Sequence, residues 1–103
     1  MTYIEGDIVQ HTWGYGQTNQ QFYEVLKRTP KTVMLRELKQ EFTSNGFMQG
    51  MCWPVLGQYC ETPGSDREFR KRVFWGEDGE ELHPQFGWMM IWDGEPQRWT
   101  GYY

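Results

Sequence analysis

Twelve glycines and five prolines cut this chain of 103 residues into short pieces. That spacing suits strands, which need few residues each, better than helices. Residues 7–13 alternate with period two, Ile8 and Gln10 against Val9 and His11. Residues 21–28 are rich in aromatic and β-branched side chains, and Thr29-Pro30-Lys31 forms a turn. A third strand starts at Thr32, with Val33 and Leu35 opposed to Met34 and Arg36. Leu35, Leu38 and Phe42 also fit a helical stripe, but without a cap before them residues 37–42 read as a bent extension of that strand. Thr43-Ser44-Asn45-Gly46 reads as a turn, and residues 47–53 as a strand stopped by Pro54. After a loop over 59–65, residues 69–75 alternate again and 76–79 turn. Residues 88–92 are almost wholly apolar, which predicts a central strand buried on both faces. Asp93-Gly94 predicts a hairpin into a last strand over 97–103. The expectation is a mainly β protein: one domain over residues 1–103, a small SH3-like antiparallel barrel of five to seven short strands.

Aromatics explain how so short a chain fills a core. Hydrophobic residues make up 38%, yet six Trp, six Tyr and six Phe are among them. Each buried ring removes roughly 150–250 Å² from water, so rings replace a larger aliphatic core and leave some for the surface. The net charge of −4 opposes general nucleic-acid affinity, which needs a basic field, and is too mild for a mimic of DNA. Cys52 and Cys60 form no Cys-x-x-Cys, and neither histidine stands at ligand spacing, so no metal is expected. Free thiols in a reducing cytoplasm are the default, with a disulfide as the alternative. Residues 1–5 lack signal-peptide character and no apolar run reaches membrane-spanning length, so a cytoplasmic protein is expected.

Two stretches draw attention as binding surfaces. Trp13-Gly14-Tyr15-Gly16-Gln17-Thr18-Asn19 sets amides between aromatics, followed by Tyr23. One reading is architectural: the glycines supply unusual backbone angles and the amides satisfy neighbouring backbone groups. The other is recognition, with Trp13, Tyr15, Gln17, Asn19 and Tyr23 as anchors. The second stretch is basic. Arg70 and Arg72 share a strand face with Phe74, either as a solvated surface or as a track for a phosphate backbone. The acidic run over 77–81 lacks the alternating spacing of a calcium loop. Nothing assembles a nucleophile, base or metal in a pocket, so neither enzyme activity nor a cofactor is expected.

Gly6-Asp7-Ile8, Trp13-Gly14-Tyr15-x-Gln17-Thr18-Asn19-x-x-Phe22-Tyr23-x-Val25, Lys31-Thr32-Val33-x-Leu35-Arg36, the basic Phe69-Arg70-Lys71-Arg72-Val73 and the closing Trp92-Asp93-Gly94-x-Pro96 occur in this order. Together they resemble a family of small uncharacterised proteins of bacteriophages and their host bacteria. Gly16 departs from the acidic residue usual there, and residues 77–86 match poorly. The resemblance implies a phage or prophage origin and a bacterial host cytoplasm. The expected function is noncatalytic contact with a host or phage protein, with inhibition of a host defence system as a candidate role. The alternative is an SH3-like nucleic-acid-binding module for single strands or RNA; a homo-oligomeric structural component is a third class.

Overall fold

The computed structural model describes residues 2–14, 17–46, 49–77 and 79–100, and the side chains of all of these but 45 and 46. They form eight strands in chain order: β1 (Ile8–Trp13), β2 (Asn19–Arg28), β3 (Thr32–Gly46), β4 (Gln49–Tyr59), β5 (Phe69–Gly76), β6 (Gly79–Leu82), β7 (Trp88–Ile91) and β8 (Gln97–Thr100). Every pairing is antiparallel, and the main sheet runs β6-β5-β3-β2-β1-β7. Its two end strands, β6 and β7, come back into contact, so the sheet curls into a nearly closed barrel. The all-β barrel is as the turn spacing predicts, with one strand more than the expected range.

Period-two alternation decides what the barrel encloses. Val9, Tyr23, Val25, Val33, Leu35, Val73 and Leu82 all face inward and are buried, with Tyr3 closing one end. Each such side chain contributes roughly 1.5–3 kcal/mol by leaving water. Tyr3 is pinned by its backbone N–H, which donates to Glu80 Oε1 at 2.9 Å. The other Glu80 oxygen accepts from Arg28 at 2.5 Å. Burial by itself would raise the Glu80 carboxyl, but the Tyr3 N–H and the Arg28 guanidinium hold it below its ordinary value.

The fifteen-residue β3 is the bent strand that the sequence implies. Its first half lies between β2 and β5, and its second half leaves the barrel to pair with β4. There β3, β4 and β8 make a second, smaller layer. This layer covers the outer face of β1 and β2 over a separate buried group that includes Phe22, Leu38 and Cys52. Trp92 meets Phe22 edge to face, with ring centroids 6.0 Å apart.

Four expectations are corrected. Residues 43–46 are not a turn but the end of β3, because β4 pairs with them up to Gly46. The hairpin tip, including Phe47, lies outside the described residues. Pro54 does not stop its strand: β8 pairs only with residues 49–52 of β4, so Pro54 lies past that ladder, where a missing N–H costs nothing. Beyond it β4 bulges, setting residues 55–58 against Lys39 alone. The strand at Trp88 is not central. It pairs only with β1, and its outer face carries Trp88 and Met90, 55% and 42% exposed. Asp93-Gly94 makes no hairpin, since β8 crosses to β4 instead of returning along β7. Asp93 Oδ1 holds that crossing, accepting from the Glu95 N–H at 2.9 Å and from Gln97 Nε2 at 3.1 Å.

Candidate functional site

The β2–β3 ladder ends at the Tyr23–Glu37 pair. Toward the start of β2 the two strands part: β2 stays with β1, Thr18 bridges to Thr100 of β8, and β3 turns to β4. An open groove of about 440 Å³ lies at this parting. Its walls take Trp13 from β1, the amide string from residue 17 to residue 21, Gln40 and Phe42 from β3, Cys52 from β4, and Trp99 and Thr100 from β8. The glycine at 14 is required here. Its φ is +143°, and a Cβ would collide with the Gln17 carbonyl oxygen.

The amides hold the layers together. Gln10, buried on the outer face of β1, donates through Nε2 toward Gln97 Oε1 at 3.0 Å and toward Thr12 Oγ1 and Gln20 Oε1 at 3.2 Å. Thr12 donates to the same Gln20 oxygen at 2.7 Å, and Gln20 Nε2 donates to the Arg98 carbonyl at 2.9 Å. Gln40 Nε2 spans the parting to the Gln20 carbonyl at 2.9 Å. One network thus joins β1, β2, β3 and β8, and the buried donors and acceptors satisfy one another. Both indole N–H groups of the groove are also engaged: Trp13 donates to Gln21 Oε1 and Trp99 to the Thr43 carbonyl, each at 3.0 Å. The architectural role falls to Gln20 and Gln21 near the start of β2 rather than to the Asn19 side chain, whose Nδ2 makes no hydrogen bond.

The proposed anchors separate. Trp13, Gln17 and Asn19 come together in the groove wall. The Asn19 Nδ2 is buried without a hydrogen-bond partner. Tyr23 does not join them: it faces the barrel interior, 8% exposed, edge to face with Phe69 at 5.3 Å. Burial pushes its hydroxyl pKa strongly upward. Tyr15 lies outside the described residues. Arg70 and Arg72 stand elsewhere, exposed on β5 opposite Met34 and Thr32. The Arg72 guanidinium lies 5.5 Å from the Phe74 ring centre, and Phe74 stacks on His83 at 4.3 Å.

Sequence reasoning overlooked Gln40, Phe42 and Trp99 as groove residues. Residues 37–42 were legible as a strand, but nothing local indicates that Phe42 and Trp99 meet edge to face at 6.1 Å. Both cysteines are free, and burial raises the Cys52 thiol to about 11, so it stays neutral at ordinary pH. Burial also raises the Glu37 carboxyl, against hydrogen bonds to Ser65, Gln21 and Cys60 that lower it. Among the described residues no three His, Cys, Asp or Glu gather as a metal site, and no helix is long and apolar enough to cross a membrane. Compared with known proteins, the chain matches no family model, no curated protein and no solved structure.

Proposed function

We propose that this chain is a noncatalytic binding protein that acts by contact with a host or phage protein, with inhibition of a host defence system as the first role to test. The observation that carries this reading is the outer face of β7. Trp88 and Met90, on the outer face of this edge strand, are 55% and 42% exposed, and Phe86 just before it is 65% exposed. Large apolar side chains clustered at a sheet edge are costly to leave in water and match what protein interfaces bury. The phage resemblance supports the choice of partner. The test is capture from bacterial host lysate with the native chain and with Trp88→Ser. The native chain is expected to recover a stoichiometric protein that Trp88→Ser loses, while thermal unfolding shows that the variant is still folded. Recovery of no such protein, or equal recovery by both, counts against the reading.

A second reading rests on a different surface. Arg70 and Arg72 share one face of β5 with Phe74, which is 39% exposed. Cations next to exposed rings suit a single-stranded nucleic acid, although the net charge of −4 weighs against it. It predicts affinity for single strands or RNA that falls steeply with salt; no binding at low salt removes it.

A further inference from the structure

We infer that the groove between the amide loop and β8 is a binding site for a neutral saccharide, separate from the β7 surface. The first reason is charge. None of the eleven described residues that line the groove is ionised, since its one thiol, Cys52, is neutral, whereas 23% of the whole chain is charged. A charged ligand would lose water there and meet no counter-charge.

The second reason is the mixture of donors and acceptors. Side-chain amides and hydroxyls each offer both, as the hydroxyls of a sugar do. The Gln17 amide makes no hydrogen bond to another described residue, and Gln40 uses its Nε2 on Gln20 while its Oε1 makes none. These groups are available to a ligand. The third reason is the rings. With their indole N–H groups tied to Gln21 and Thr43, Trp13 and Trp99 are fixed in place, and their apolar faces can take the C–H face of a sugar. Phe42, 69% exposed, extends that apolar surface at the rim.

An extended peptide fits less well. Strand addition needs an open backbone edge, and here the edge is already taken: the Gln20 carbonyl by Gln40, and the Thr18 N–H and carbonyl by Thr100. A volume of about 440 Å³ is within the usual range for small-ligand sites, and an open groove admits a chain of sugar units.

The test titrates the full chain with cellohexaose, maltohexaose and chitohexaose, followed by tryptophan emission and by amide chemical shifts. At least one is expected to bind saturably, with shifts confined to the groove. Gln17→Leu and Phe42→Ala are each expected to weaken it about tenfold, while Trp75→Ala on β5 leaves it unchanged. Thermal unfolding of each variant confirms that it is folded. No binding by any of the three up to about 10 mM overturns the inference. So does binding that both groove variants leave intact, or binding of an uncharged Ser-Gly-Asn peptide in place of the sugars.

Discussion

The barrel interior and the polar network between the two layers solve the same problem with opposite chemistry. In the interior, Val9, Val25, Val33, Leu35 and Val73 exclude water by shape, and few of their atoms need a partner. Between the layers, Gln10, Thr12, Gln20 and Gln97 are held by direction, each hydrogen bond fixing the position of the next. Apolar packing is non-directional and tolerates adjustment. A buried amide network specifies one geometry and loses much when a member is removed. The lesson is that the groove beside this network is walled by the part of the molecule whose geometry is most narrowly set.

The contrast can be broken first from the interior. Leu35→Ala is expected to lower unfolding free energy by about 3 kcal/mol, measured by denaturant titration, through lost burial and a residual cavity. Groove chemical shifts should stay close to native. The second variant attacks the network. Gln10→Ala leaves the Gln97 acceptor without its donor, while Gln20 keeps Thr12, and is expected to cost about 2 kcal/mol. Hydrogen exchange should show β8 opening before the barrel strands; uniform loosening would mean that the two regions are not distinct. The third and smallest effect tests the barrel end that Tyr3 closes. Because the native Glu80 carboxyl is depressed, its contribution is complete above its unfolded value near 4.5 and vanishes as pH falls through the native value. Glu80→Gln should therefore cost about 1 kcal/mol at neutral pH and flatten the acid limb of the stability curve, as followed by thermal unfolding across pH.

Much of the fold was legible because alternation is a local signal. Strands β1 and β5 could be read from side chains two residues apart, β2 from its aromatic and β-branched content, and the bend in β3 from the missing helix cap. What escaped depends on neighbours distant in sequence. Trp88 to Ile91 is apolar enough for a centre, yet its placement at an edge is decided by β8 leaving for β4. Strand β6 was hidden by its acidic residues; Glu80 is accommodated because the Tyr3 N–H and Arg28, 77 and 52 positions away, meet it. The expected strand over 97–103 is seen as β8, its last three residues lying outside those described. The candidate site was half visible. Trp13, Gln17 and Asn19 sit in one loop, but Trp99, Phe42 and Gln40 join them only through the crossing of β3 and β8 into the second layer. Tyr23 misled because an aromatic near a polar loop looks like an anchor, while its register opposite Val9 turns it inward.

Strand β3 belongs to both layers, pairing with β2 and β5 in one and with β4 in the other. Fifteen consecutive residues act as a common beam, so there is no seam along which the molecule can separate into halves that survive alone. Whatever presses on Gln40 in the groove presses on the same continuous backbone that carries Val33 and Leu35 through the barrel.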